Sequence, residues 1–582
     1  MQSSRAWRAA GIVLAILILG ASLTSRVAGQ TYRDVQAGRI ESLPIGMTPE
    51  EEAIRDLIGA YRTVTPPPAA QPVRALAEFD RAKGVLVRYP LGISVSIVRE
   101  MAEDDIVYCV VTSGQQSAAY NAFSSGGVNM SHVVFFNAAT DSYWTRDYGP
   151  WFAYDANGEL AVIDPIYNRP RPNDDAIPAS FGAFLGLDVY GPDLVTAGGN
   201  WMADGRLVAA STTLVWTENP SKTHVQIAQM AHDYKGITTY HVVPDVNGEY
   251  IQHMDCWGKF LAPDKMLIRS VPTTHSQYDE IEAAVDYWEQ QISVYGWPFH
   301  VYRVYTPTNQ PYTNSLILNK KVYVPITGSS WDDDAILSYQ QAMPGYEVLG
   351  FTGSWESTDA LHCRAKGVGD PGLLYVWSIP LQDITGGLSE YPVQAQIIDH
   401  SQTGLVANQL RLYWRPGTSG AFNYALMTPS GTDLYSAAIP AQPMGTTIQY
   451  YLHAADNSGR QEDYPIVGSA GPFSFQVLVD AQGLADGTPT ARDLRVRTWP
   501  NPMRAESTIR FTLDRAAEAR AGIYDAQGRL VYTLADGPLA PGVHTLPWDG
   551  RTRTGHRVAP GVYFYRLEAD GHRATSPLVV TR

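Results

Sequence analysis

The chain has 582 residues, of which 45% are hydrophobic and only 17% are charged, and its formal net charge is −15. This composition is that of a globular protein and excludes general disorder, and the length predicts three or four domains. The negative charge argues against non-specific binding of nucleic acid, which needs basic patches, so we expect no nucleic-acid partner. An acidic surface instead attracts cationic substrates.

Residues 1–29 have the order of a cleavable signal peptide. Arg5 and Arg8 precede an apolar run of about fifteen residues, and the small residues of Val27-Ala28-Gly29 follow it. The run is short for a membrane span, which needs about 20 residues. An uncleaved anchor is the alternative. We expect cleavage, followed by an N-terminal segment at 30–44, and a mature protein that is exported, soluble and without a transmembrane segment.

Residues 45–379 alternate between strand-like and helix-like segments, which is typical of an α/β domain. The strand-like runs are GVLVRYP, DIVYCVV, HVVFF, RLVAAS, KMLIRSV and FHVYRVY. The clearest helix is predicted over Ser276–Tyr295, with Ser276 and Asp279 as a capping pattern. Its apolar face would carry Ile281, Val285, Trp288 and Ile292. The segments recur in the order strand, turn, strand, helix, strand.

The helical pattern ends after Val376, and two all-β modules are predicted to follow. Residues 380–479 contain short strands and turn signals, the profile of a β-sandwich. A loose linker is predicted at 480–493. Residues 494–582 form the last module, with strand-like runs separated by glycine-containing turns.

Three cysteines in an exported protein can form at most one disulfide, so at least one thiol is left over. Cys109 lies in the apolar run DIVYCVVTS, which predicts a core position in a buried strand. Cys256 and Cys363 each lie near a histidine in sequence. Cys363 is a candidate nucleophile, but an attacking thiolate needs a nearby cation or a helix N-terminus to form near neutral pH. A small buried core residue is the alternative.

Two segments carry candidate acid–base groups. Asp147, in WTRDYGPWF, lies among aromatic residues and beside Arg146, so it predicts either a pocket for a cation or an Asp–Arg pair that braces a turn. In YIQHMDC we expect a strand, which would point His253 and Asp255 to one face and suit a general acid/base. A buried structural histidine is the alternative. No third ligand at a suitable spacing supports a metal pair.

Three further polar groups are candidates for binding or for plain structural roles. Asn314 precedes a clear strand, as an orienting amide or as a turn residue. Arg169 and Arg171 flank a proline in what we expect to be an exposed loop, either solvated or able to clamp a carboxylate. The acids of residues 332–334 are expected at a helix N-terminus, where the helix dipole favours them.

Taken in this order, the motifs resemble one family. The segments WTRDYGPWF, AGGNWMADG, QHMDCWGK and ALHCRAKGV are similar to those of the Porphyromonas-type peptidylarginine deiminases within the peptidylarginine/agmatine deiminase family. The resemblance covers residues 45–379 and implies a pentein fold, a five-bladed α/β propeller. It also implies cysteine chemistry on a guanidinium group, with no cofactor and no metal.

The resemblance assigns roles to the candidate residues. Asp147 and Asp255 would bind the guanidinium nitrogens in front of the nucleophile, Cys363. His253 would protonate the leaving ammonia and then activate water, so that a covalent thiouronium is hydrolysed to a ureido group. Asn314 matches the remaining polar position of the site.

The same resemblance bears on the substrate. Trp144 matches a substrate-packing aromatic residue, Arg169 and Arg171 match the arginines expected to grip a C-terminal carboxylate, and Tyr250 matches a neighbouring contact. Peptidyl arginine, preferably C-terminal, is therefore the expected substrate. The enzyme is expected to be a monomer and to act outside the cell. The alternatives are an agmatine or free-arginine deiminase and a non-catalytic surface protein that binds cations. The sequence signature of a papain-like protease is absent around the cysteine.

The last module resembles the type IX secretion sorting domain and its flagellar-hook-cap-like Ig relatives. The match is carried by WPNP at 499–502, WDG at 548–550 and GVY at 561–563. The ending SPLVVTR departs from that pattern because it lacks a strongly basic terminus. Secretion machinery is therefore an expected partner, beside arginine-containing peptides or proteins. Residues 380–479 are similar to the Ig-like domain that follows the catalytic domain in the secreted branch.

Overall fold

The computed structural model describes residues 42–357, 359–385, 388–478, 497–499, 503, 506–513, 515–525, 529–569 and 572–580. The predicted signal peptide and the predicted linker lie outside the described residues. Among the described segments, no helix is both long enough and apolar enough to cross a membrane.

The α/β region contains five small sheets of three or four strands. In the hydrogen-bonded order of each sheet, they are Arg74–Ala75, Trp151–Tyr154, Leu160–Ile163 and Asp188–Tyr190; Met202–Ala203, Val208–Thr212 and Thr239–Val243; Gly258–Ala262, Lys265–Ser270 and His300–Tyr305; Leu316–Leu318, Lys321–Ile326 and Glu347–Thr352; and Lys366–Gly369, Ala82–Arg88, Ile106–Val111 and Val133–Asn137. A two-stranded pair, Ile166–Tyr167 with Val195–Thr196, lies beside them.

Every sheet repeats one topology, in which an antiparallel pair is followed by a parallel pair on its other side. In the third sheet, for example, Gly258 pairs with Ile268 in the antiparallel ladder, and Lys265 pairs with His300 in the parallel one. A helix connects the two parallel strands, because parallel strands need a crossover. These five helices are Val95–Asp104, Ile177–Leu185, His224–Lys235, Tyr278–Gln290 and Asp332–Ala342. The predicted order of strand, turn, strand, helix, strand is confirmed.

The remaining helices are shorter or lie between other strands. They are the α-helices Pro49–Glu52, Gln116–Ser125, Thr145–Tyr148, Pro172–Asp175 and Leu214–Thr217, and the 3-10 helices Arg55–Leu57, Met130–His132, Gly198–Asn200, Met254–Cys256, His362–Arg364, Ala407–Gln409 and Gly468–Ala470. The acids Asp332–Asp334 occupy a first helical turn, as predicted.

The helix predicted over Ser276–Tyr295 is shorter than expected. It spans Tyr278–Gln290, and its N-cap Gln277 forms no side-chain capping bond, so the prediction of a Ser276 cap is wrong. Ile281, Val285 and Trp288 are buried on one face, but Ile292 lies past the helix end with 55% of its surface exposed. The predicted apolar face is therefore buried only within the helix.

The apolar interior of the α/β region is divided among several clusters between sheets and helices. One of them joins Leu86, Val110, Trp144, Phe181 and Cys363. Another contains Cys109 at the centre of strand Ile106–Val111, so the predicted core position of this cysteine is confirmed. All three cysteines are buried and free.

The first β-module is a sandwich of two sheets around one core. The first sheet consists of Leu374–Trp377, Glu390–Asp399, Leu434–Pro440 and Thr428–Gly431. The second consists of Ile384–Thr385, Phe473–Leu478, Thr447–Ala455, Arg411–Pro416 and Asn423–Leu426, with Gln461–Tyr464 paired to Thr447–Ala455. Strand Leu374–Trp377 precedes the boundary predicted at residue 380 and yet pairs with the sandwich strand Glu390–Asp399.

The second β-module also has two sheets. They are Arg497–Trp499, Ser507–Leu513 and Gly542–Trp548, and Leu530–Leu539, Ala517–Tyr524, Gly561–Ala569 and His572–Val580. Trp548 of the WDG motif is buried in the core with Ile523 and Tyr565. Within the WPNP motif, Trp499 is in a strand, whereas residues 500–502 lie outside the described part.

Candidate active site

The candidate residues lie at equivalent structural positions, each just before a strand that begins the antiparallel pair next to the parallel pair of its sheet. The turn Thr145–Tyr148 carries Asp147, and the turns Gly198–Asn200, Met254–Cys256 and His362–Arg364 precede strands of three other sheets. Asn314 precedes the first strand of the remaining sheet, Leu316–Leu318. The five sheets therefore bring residues that are far apart in sequence to one site.

Gly199 lies at the centre of this arrangement. Its backbone N–H donates to Asp147 Oδ1 over 3.0 Å, and the same oxygen lies 3.5 Å from His253 Nδ1. A Cβ atom on Gly199 would stand 2.6 Å from His253 Nδ1, 2.8 Å from Asp147 Oδ1 and 3.1 Å from Asp255 Oδ1. Only glycine fits between these three side chains without displacing one of them.

Asn314 and Asp255 position Cys363. The amide of Asn314 donates to the Cys363 sulfur over 3.2 Å, and Asn314 Oδ1 accepts from the backbone N–H of Ala360 over 2.8 Å and of Cys363 over 3.3 Å. The thiol of Cys363 donates to Asp255 Oδ2 over 3.6 Å. Asn314 is thus an orienting amide in this fold.

The segment around His253 is not the strand that we predicted. Residues 250–253 are irregular, His253 is the N-cap of the 3-10 helix Met254–Cys256, and Gln252 has a φ of 52°. His253 and Asp255 nevertheless face the same site, because the tight turn and the close packing against Gly199 replace the strand alternation. Both side chains are buried, at 1% and 2% exposed.

The site holds a neutral thiol and a neutral imidazole among carboxylates. Burial, followed by the charges of Asp255, Asp359 and Asp147, raises the pKa of Cys363 well above its ordinary value. Burial lowers the pKa of His253 to about 4. Burial and then the charge of Asp255 raise the pKa of Asp147 to about 7. Hence the side chains around Cys363 disfavour its thiolate form.

Asp359 is a site residue that our sequence reasoning missed. It is 2% exposed, and among the described residues neither of its carboxylate oxygens has a hydrogen-bond partner. Burial raises its pKa well above the ordinary value, while the neighbouring thiol of Cys363 and the charge of Arg364 oppose that rise. Its position four residues before Cys363 in STDALHC was the signal that could have revealed it.

A second missed feature is a chain of charged side chains behind Asp255. His362 Nδ1 bonds Asp255 Oδ2 over 2.6 Å, and His362 Nε2 bonds Glu78. Glu78 also pairs with Lys259 at 2.7 Å and with Arg146 at 3.1 Å. Burial opposes ionisation of Asp255, but its contacts with His362 outweigh burial and lower its pKa. Glu78 carried no local sequence signal.

The two arginines predicted in an exposed loop are buried, so that prediction is wrong. Arg169 is 7% exposed and Arg171 is 1% exposed. Arg171 forms a two-point ion pair with Glu51, at 2.7 and 3.1 Å, which allows its charge to be buried. The segment around residue 51 covers both guanidinium groups, and no sequence pattern linked it to them.

The two aromatic residues predicted to contact the substrate differ in exposure. Trp144 is fully buried, and its indole N–H donates to the backbone oxygen of Leu43 over 2.9 Å. The guanidinium carbon of Arg364 lies 5.2 Å from its ring centroid. Tyr250, in contrast, is 68% exposed.

No group of three or more His, Cys, Asp or Glu side chains in the described segments is arranged to hold a metal ion.

Comparisons with known proteins agree on this region. Residues 92–365 match the family model of the Porphyromonas-type peptidyl-arginine deiminases, and residues 502–572 match that of the FlgD Ig-like domain. A protein assigned as an agmatine deiminase from Mycoplasma mycoides is 23% identical over 296 residues, which cover 44% of this chain and 80% of that protein. One from Shewanella baltica is 24% identical over 264 residues, covering 38% and 71%.

A solved structure shows a similar extent of match. The agmatine deiminase of Enterococcus faecalis is similar over 56% of this chain and 99% of its own, with 18% identity and a TM-score of 0.47.

The matched region defines a class of enzyme, the hydrolases that act on C–N bonds of amidine groups, here by arginine deimination. Residues 92–365 are thus similar to the Porphyromonas-type peptidyl-arginine deiminase family. The additional FlgD-like Ig domain lies at its C-terminal end.

Gly199→Ala tests the packing at the centre of the site. The added methyl group would displace His253 or Asp147, so we expect kcat/KM to fall by about 100-fold or more while the thermal unfolding midpoint changes little. Gly367→Ala is the matched control, because its Cβ would meet no atom within 4 Å. Equal activity of the two variants would contradict the proposed crowding.

The resting state of the thiol is tested by the pH profile of its alkylation. Because the pKa of Cys363 is raised, the rate of carboxamidomethylation should still rise with pH above about pH 8, without a plateau near neutrality. Burial lowers the alkylation rate at every pH, whereas the pKa sets the pH at which the rate stops rising. Mass spectrometry of the Cys363 peptide measures the rate, with Cys363→Ala as the blank, and a plateau near pH 7 would show a resting thiolate.

Proposed function

We propose that the protein is an exported deiminase that converts peptidyl arginine, preferably at a C-terminus, to citrulline and ammonia. One observation carries the choice of a guanidinium substrate: buried carboxylate oxygens without partners surround the neutral thiol. Among the described residues these oxygens are Asp147 Oδ2 and both oxygens of Asp359. Buried acceptors without donors are unfavourable, and a guanidinium supplies five N–H donors together with a positive charge.

The chemistry follows from the arrival of that charge. The bound guanidinium compensates Asp147, Asp255 and Asp359, which opposes the rise in the pKa of Cys363 that they cause. The sulfur adds to the guanidinium carbon as its proton passes to the neutral His253, and His253 then delivers this proton to the departing ammonia. This step leaves a covalent thiouronium.

Hydrolysis of the thiouronium completes the reaction. His253 takes a proton from water as the oxygen adds to the same carbon, and the carbon–sulfur bond then breaks to release a ureido group. The proton on His253 returns to Cys363, and the remaining proton of the protonated ureido group passes to the released ammonia, so that guanidinium and water give a neutral ureido group and ammonium. The residues described here supply every proton transfer, so this scheme uses no cofactor.

The finer architecture and location are part of the same proposal. The five sheets with one repeated topology, and the pairing of Lys366–Gly369 with Ala82–Arg88 at the two ends of the region, support a five-bladed pentein propeller. The signal-like residues 1–29 and the FlgD-like module support export through a signal peptide and a C-terminal secretion module. Secretion machinery would then be a partner of residues 494–582.

An agmatine deiminase is the second candidate. The names of the relatives from Mycoplasma mycoides and Shewanella baltica favour it. Against it stands the signal-like N-terminus.

Three substrates separate these candidates. We expect citrulline from a peptide ending in arginine, much less from the same peptide amidated at its C-terminus, and little product from agmatine. Cys363→Ala should lower the rate of citrulline formation by about four orders of magnitude or more, since the nucleophile is lost. Preference for agmatine would keep the chemistry and replace the substrate. Absence of product from all three would contradict the proposed deiminase.

The role of Asp359 is tested by Asp359→Asn. Loss of one buried carboxylate weakens guanidinium binding and lowers the pKa of the thiol, so we expect KM to rise by about 10- to 100-fold and alkylation of Cys363 to become faster at pH 8. Asp333→Asn, on the surface of a distant helix, is the control. An unchanged KM would exclude Asp359 from the binding site.

A further inference from the structure

The chain's own N-terminal strap, which we define as residues 42–52, lies along the residues expected to bind the substrate backbone. Arg171 Nη2 donates to the backbone oxygens of Pro44 over 2.7 Å and Gly46 over 2.8 Å. Arg169 Nε donates to the oxygen of Ile45 over 3.0 Å. Two guanidinium groups thus bind three successive carbonyls of this segment.

The side chains of the strap occupy the same place. Ile45 is fully buried, in the apolar cluster that also contains Trp144, Ile251 and Cys363. A Cβ atom on Gly46 would lie 2.5 Å from the ring of Tyr250, so this ring packs directly on the strap backbone. With the bond from Trp144 to Leu43, all four residues predicted to bind substrate contact the strap.

The strap is held by the arginine bonds to residues 44–46, by a backbone bond from Leu43 N–H to the Asp141 oxygen over 3.1 Å and by contacts of Glu51, and it has no strand of its own. Glu51 pairs with Arg171 and also closes a capping box with Thr48. From Ser42 to Val73 the chain contains only short helical turns, and the first strand begins at Arg74. Beyond the strap, Tyr61 and Val64 are more than half exposed. The strap can therefore leave without breaking any sheet.

We propose that Trp144, Arg169, Arg171 and Tyr250 form a binding groove for the main chain of an extended peptide, and that the strap fills this groove until a substrate peptide displaces it. A peptide carboxylate would bind the same guanidinium N–H donors as the strap carbonyls, so the two compete. The inference rests on the proposed function only for the identity of the competing peptide.

Hydrogen exchange tests displacement without relying on turnover. The full-length Cys363→Ser variant is incubated with a peptide ending in arginine, and deuterium uptake is followed in fragments that cover residues 42–52. We expect the peptide to increase uptake there, whereas agmatine, which has no main chain, should not. Unchanged or decreased uptake at saturating peptide would overturn the proposal.

Two matched variants test the effect on catalysis. Glu51→Gln weakens the attachment of the strap to Arg171, so a larger fraction of the enzyme has an open groove, and KM for the peptide should fall by about three- to tenfold with little change for agmatine. Glu52→Gln makes the same charge change at an exposed neighbour that pairs with Arg55, and should leave both values unchanged.

The outcomes also separate this proposal from the proposed function. Citrulline production with unaltered strap exchange and an unaltered KM in Glu51→Gln would overturn the strap proposal alone. If Glu51→Gln does not fold, Ile45→Ser removes the apolar contact instead and carries the same expected fall in KM. A peptide that is neither converted nor able to raise the exchange of residues 42–52 would overturn both.

Discussion

Three carboxylates buried against one uncharged thiol are the constraint on which the rest of this site depends. Asp147, Asp255 and Asp359 are each at most 3% exposed. Like charges held together in a low-dielectric interior repel one another, and they also disfavour a thiolate. This repulsion, together with burial, raises the pKa values of Asp147 and Cys363. A bound cation resolves both conflicts at once, which couples binding to activation.

The network behind Asp255 explains why its pKa is lowered, whereas the pKa values of Asp147 and Asp359 are raised. His362, immediately before the nucleophile, connects Asp255 to Glu78, and Glu78 is compensated by Lys259 and Arg146. Positive charge is thus placed one layer away from the reacting atoms, where it stabilises Asp255 without contacting the thiol. A cation adjacent to the sulfur would activate the thiol in the absence of substrate.

Much of the site could be predicted from the sequence because its residues occur in short, recognisable segments. The strands and their order followed from β-branched runs, and Asp147, His253, Asp255, Asn314 and Cys363 came from four such segments and do converge in the structure. What could not be predicted depends on distant packing. Glu78 contacts His362 although it lies 284 residues earlier in the sequence. The burial of Arg169 and Arg171 depends on Glu51 and the strap carbonyls.

The pairing of Lys366–Gly369 with Ala82–Arg88 has a consequence for the timing of site assembly. The nucleophile is held on the turn immediately before the last strand of the α/β region, and Lys366 pairs with Leu86 near its beginning. Contacts so distant in sequence form late, since the loop between them must first be ordered. During synthesis Asp147 and Asp255 emerge well before Cys363, so a growing or truncated chain has the proposed binding groups without the proposed nucleophile. The proposed reaction therefore requires that the whole region has closed.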